Sequence, residues 1–218
     1  MHRAISTHIS ALYFCLIFAI SLVVSTACSR GDSRASALMD RAESLMEQRP
    51  ESALSTLDSI VPSSLTTREQ SARYALLRSM ALDKNYIDTT DFSVLQPAID
   101  YYLTKGNPDQ KLRTYYYQGR IYQNAGDDDS AMQAFVNALD LQEKATDTLT
   151  LARTMVAQSI ILKDVYDFDL YLKRRLESAF LYDKMGYYKQ KADNYLCALN
   201  VSLLKINISQ TALCNYAS

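Results

Sequence analysis

The side chains best suited to chemistry crowd into "YYYQGRIYQNAGDDDSAMQAF", positions 115–135 of this 218-residue chain. Three carboxylates, Asp127, Asp128 and Asp129, follow Gly126 there. Adjacent carboxylates could hold a cation or pass a proton. A calcium loop needs alternating acids, a Gly at its sixth position and a Glu at its twelfth, and these are missing. Acids just ahead of a helical apolar pattern have a simpler use. They accept hydrogen bonds from the unpaired N–H groups of the helix start. The expectation is a turn at Gly126 and caps after it, with no metal site.

Other reactive residue types are scarce. Both histidines, His2 and His8, precede the apolar run "ALYFCLIFAISLVV" at Ala11–Val24, and there is no tryptophan. Arg3, the apolar run and the small residues "STAC" together describe a secretory leader. Ser25-Thr26-Ala27-Cys28 resembles a bacterial lipobox, which implies a lipid on Cys28 and a leader over residues 1–27. An uncleaved anchor over Ile9–Ala27 is the alternative, being long enough to span a bilayer. A chain starting at Cys28 has no histidine, so Ser-His-Asp and Cys-His catalysis and His-ligated metals are excluded within it. Cys197 and Cys214 could pair, although isolated cysteines on helical segments are more often unpaired packing residues.

The charge, 23 basic against 24 acidic side chains, gives no electrostatic case for nucleic acid. Five Gly and four Pro are too few for a turn-rich β fold, and 48% hydrophobic residues suffice for a core. After a tether at 28–35, apolar residues recur at helical spacing. The first face is Leu38, Ala42, Leu45 and Met46; the second is Ala53, Leu57, Ile60 and Val61. Pro50 suits the first turn of a helix, Pro97 must lie in a first turn or bend its helix, Gly106 to Asp109 form a helix stop and a new start, and Thr66 or Thr67 is a candidate cap. "KRRLE" at 173–177 is expected to be a solvated helix face. Helix, short turn and helix alternate throughout, which predicts antiparallel neighbours.

Gly119 organises the strongest unit. Tyr115, Tyr122, Ala131, Phe135 and Ala138 stand at fixed offsets from it. The pattern resembles the tetratricopeptide repeat, with a best unit of 34 residues at Leu112–Ala145. Small Gly119 and Ala131 would let two helices approach, with Tyr122 and Phe135 filling the gap between them. Residues 193–218 fit the same frame more loosely, with a turn at Asn207. At 152–185, Tyr171 and Arg175 replace the small and aromatic residues. The segments at 36–60 and 82–102 are similar to envelope-associated tetratricopeptide proteins of Bacteroidetes.

The resemblance implies an all-α solenoid of hairpins over 36–218, ending within a repeat. Its implied function is non-catalytic: a protein-interaction scaffold at the cell envelope, anchored by lipid or by the N-terminal helix. The first helix of each hairpin would line a groove for a protein or peptide. In the strong repeat that face carries Arg113, Tyr116, Arg120, Gln123 and Asn124. An exposed polar face without a partner explains the same residues equally well. Two alternatives remain: the sensory part of a membrane-bound transcriptional regulator, and a glycan-binding lipoprotein. No cofactor is expected, because neither a nucleophile–base pair nor a phosphate loop is recognisable.

Overall fold

The structure, a computed structural model, describes residues 34–216, with side chains through Asn207. The leader, Cys28 and the tether up to residue 33 lie outside the described residues. Described residues form helices and turns with no strand. The chain divides into two compact units, Met1–Asn85 and Tyr86–Ser218.

The first unit holds α1 (34–45), α2 (Pro50–Asp58) and α3 (Arg68–Lys84). Pro50 opens α2, as its missing N–H suggests. Thr67 caps α3 in a reciprocal box with Gln70, and Asn85 closes it by donating to the Ala81 carbonyl at 2.6 Å. Met39, Ala42 and Met46 are the buried face of α1; Leu38 and Leu45 only flank it. Ala53, Leu57 and Ile60 are buried, whereas Val61 is exposed, because the chain has left the helix at Ser59. α3 is tied to both neighbours by charge. Arg73 meets Asp40 and Glu43 at 2.7 Å, Lys84 meets Glu47 at 2.9 Å, and Arg78 pairs with Asp58.

The second unit contains α4 (Gln96–Lys105), α5 (Pro108–Asn124), α6 (Asp128–Leu139), α7 (Thr148–Asp164), α8 (Phe168–Lys184) and α9 (Tyr188–Tyr216). Each packs on the next, and α5 also meets α7. Three-residue turns between α5 and α6, α7 and α8, and α8 and α9 make these pairs antiparallel. The turns share one device: a residue in the left-handed region at Gly126 (φ 77°), Tyr166 (φ 62°) and Gly186 (φ 76°). The next N–H then reaches back over the turn, as from Asp127 to the Tyr122 carbonyl at 3.0 Å.

Starts are as regular as stops. Asn107, Asp127, Asp147 and Asp167 are N-caps at twenty-residue intervals, each accepting from the backbone N–H three residues on. α3, α5 and α7 are each 17 residues long and begin at Arg68, Pro108 and Thr148, forty residues apart. The helices thus recur every forty residues, whereas the motif frame expects thirty-four. Core positions follow the longer interval. Ala72, Leu112 and Ala152 are fully buried; so are Ala98, Ala138 and Ser178.

One predicted turn is absent. α9 runs without a break through Asn207 to Tyr216, so 193–218 is not a hairpin. The same helix excludes a bridge from Cys197 to Cys214 within the chain. A rise of 1.5 Å per residue separates their backbones by about 25 Å, against about 7 Å at most for a disulfide.

Candidate functional site

The candidate face lies on α5, and its geometry follows from how that helix is held. Asn107 and Gln110 form a capping box, with both hydrogen bonds at 2.9 Å, and Pro108 pre-sets the first turn. Gly119 lies against Phe135 of α6. A Cβ built there would approach Cδ1, Cε1 and Cζ of the ring, all within 2.9 Å. The forty-residue frame puts Ser79, Gly119 and Ser159 at one position, all small and the two serines buried. The Ser79 hydroxyl has no hydrogen-bond partner, so size accounts for the residue there.

Four of the five expected groove residues are half-buried, and each is engaged within the chain. Arg113 Nε donates to Asp147 Oδ2 at 2.5 Å. Arg120 Nη1 donates to Gln123 Oε1 at 2.6 Å. Asn124 Nδ2 donates to the Thr89 carbonyl at 3.2 Å. Tyr116 is a correction: it is only 6% exposed, with its ring 6.3 Å from that of Phe135. Its position on α5 turns it toward α6 and away from any groove. Tyr122 also differs from expectation. It packs on Phe92, centroids 4.7 Å apart, on the segment before α4.

Asp109 and Asp147 are the carboxylates that tie α5 to α7, and the spacing of the motif did not single them out. Asp109, in the first turn of α5, accepts from Thr146 N and Oγ1 at 2.6 Å and from Asp147 N at 2.9 Å. Asp147 caps α7 through Thr150 N at 3.0 Å while it holds Arg113. This clasp fixes α7 against α5. Partial burial pushes the Asp109 carboxyl up, but the Thr146 hydroxyl, the two N–H donors and the Arg113 charge outweigh it. Its pKa therefore lies below the usual carboxylate range. In the "GDDDS" run, Asp127 accepts from Ser130 N at 3.1 Å, and Asp128 and Asp129 occupy the first turn of α6. Among the described residues no cluster of His, Cys, Asp or Glu could hold a metal.

The "KRRLE" stretch is a second correction. Arg174 donates to Gln158, itself 2% exposed, at 2.6 Å and pairs with Glu177 at 2.9 Å. Arg175 occupies the place in the frame that Phe135 takes one repeat earlier. Its guanidinium lies 5.4 Å from the Tyr171 ring, and Nη1 donates to Asn194 at 3.3 Å. Its Nε is buried without a hydrogen-bond partner. Stacking on a ring lets an arginine stand in for an aromatic, and this is why the register of 152–185 is hard to see in the sequence. Burial raises the Tyr171 hydroxyl pKa, so it stays protonated and donates to the Cys197 carbonyl at 3.4 Å.

Among the described residues no helix is long and apolar enough to cross a membrane. Comparison with protein-family models, curated proteins and solved structures found no match to this chain.

Proposed function

We propose that this chain is a non-catalytic scaffold of tetratricopeptide-like helical hairpins that binds a protein or peptide partner at the bacterial envelope. The supporting observation is the recurrence of capped, antiparallel hairpins at a constant interval. Such arrays offer a row of side chains from successive first helices. The binding face we assign is Arg120, Gln123 and Asn124 of α5. Arg120 and Gln123 already bond each other, so the pair is pre-organised to meet a carboxylate or a peptide amide. Arg113 serves the α5–α7 clasp instead, and Tyr116 serves the core. Lipid on Cys28 would hold the array at the membrane.

The test is affinity capture from envelope extracts with the full chain and an Arg120→Ala/Gln123→Ala variant. Loss of a partner from the variant, with retention by Lys173→Ala on exposed α8 surface, is the expected result. An identical set of partners in all three overturns the assignment of the face. A mature mass without lipid on Cys28 overturns the anchor.

A further inference from the structure

α9 has two apolar faces, and the structure covers one of them. Asn194, Ala198 and Val201 are buried against the preceding hairpin, where Val201 joins Leu162 and Tyr171. The second face is Ala192, Tyr195, Leu196, Leu199, Leu203 and Ile206, about 100° wide around the helix and free of charge. The five large residues among these are between 46% and 57% exposed.

The earlier helices show what this face is for. Forty residues before Ala192, Tyr195 and Leu199 stand Ala152, Met155 and Ser159 of α7, all buried. Eighty before Ala192 and Leu199 stand Leu112 and Gly119 of α5. α8 reaches the first set, with Ser178 Oγ donating to the Ala152 carbonyl at 3.1 Å and Leu181 packed on the cluster that holds Met155, and α6 covers the second through Phe135. The open stripe of α9 is therefore a seat for an antiparallel helix. One residue decides which helix. Where the closed hairpin at α5 has glycine and α7 has serine, α9 has Leu199. A leucine there holds an incoming helix farther away than Gly119 holds α6. It suits a seam in which leucines from both sides interdigitate, and the stripe of α9 is itself such a surface.

We propose that a second copy of this chain seats its own α9 antiparallel along this stripe, giving a two-fold dimer. The stripe with Tyr188 leaves about 700 Å² of side-chain surface in solvent, close to the roughly 800 Å² per partner of a standard interface. A two-fold axis near Cys197 sets Ala192 against the Leu203 of the other copy and Tyr195 against its Leu199.

The full chain in mild detergent, with bound detergent mass subtracted, is measured by sedimentation equilibrium across micromolar concentrations. A dimer is expected, with a dissociation constant that rises at least about 100-fold in Leu199→Asp and is unchanged in Asn200→Asp on the polar side. Circular dichroism of Leu199→Asp should match the parent, since the residue is exposed in the single chain. Photo-crosslinking from position 203 gives a second readout that needs no destabilising change. Products joining 203 to the region of 192–195 in another copy support the proposal. A monomer at every concentration, a dimer indifferent to Leu199→Asp, or products joining 203 to 203 each overturn it.

Discussion

Gly119→Ala is the most informative perturbation of the hairpin. Taken alone, glycine to alanine inside a helix should stabilise by about 1 kcal/mol. At Gly119 the added carbon would lie within 2.9 Å of three atoms of the Phe135 ring. Carbon pairs rest at about 3.5–4.0 Å, so the ring must retreat by about 1 Å. Phe135 is fully buried and backed by Tyr116, which leaves it little room. Overpacking of this kind costs about 1–3 kcal/mol. The expected net effect is a loss of about 1 kcal/mol, opposite in sign to the propensity gain. Phe135→Leu leaves a void and should cost about 1–2 kcal/mol. With both changes the methyl enters the void and the helix gains its propensity. The double variant should be more stable than the sum predicts, by about 2 kcal/mol. Urea unfolding followed by circular dichroism measures all four proteins, and unchanged m-values certify the comparison. A neutral or stabilising Gly119→Ala, or an additive cycle, would refute the claim that Gly119 is there to admit Phe135.

Further outcomes follow from the turns and the clasp. Tyr166 holds a left-handed backbone (φ 62°) while 75% exposed, so Tyr166→Gly should raise stability by about 1 kcal/mol in a thermal melt. Asp109→Asn loses a charge-assisted acceptor at the start of α7 and should lower stability at neutral pH by about 1 kcal/mol, read by urea titration. The sign of its pH dependence follows from a folded pKa below that of the unfolded chain. The contribution is complete above the unfolded carboxylate pKa, near 4, and is lost as pH falls through the lower folded value. The parent should therefore destabilise in that acidic window, and the gap between it and Asp109→Asn should close there.

Much of the local structure could be read directly. Pro50 and Pro108 open helices, Thr67 and Asp127 cap them, and Gly126 ends one, because each depends on a backbone group within a few residues. The helical periodicity of the chain likewise declared an all-helical fold. Errors began where a position is defined by a distant contact. Tyr116 and Arg120 lie four apart on one helix, yet α6 buries the first and leaves the second half-exposed. Arg174 and Arg175 look like solvated charge until Gln158 of α7 and Asn194 of α9 receive them.

The repeat interval shows the same division. Gly119, Ala131 and Phe135 mark a hairpin in sequence, since close approach of two helices demands a small residue opposite a large one. That the hairpin recurs every forty residues was hidden. The equivalent positions hold Gly or Ser, Phe or Arg, and Gly or Tyr, joined by shape and partner and not by residue type. By itself, then, the sequence determined the helices, their caps and the closing of one hairpin, all governed by interactions of short range along the chain. Only the tertiary structure decided which polar residues are spent in holding α5 to α7 and which face of α9 stays open. Those outcomes depend on which surfaces meet, and surfaces meet only once the helices have packed.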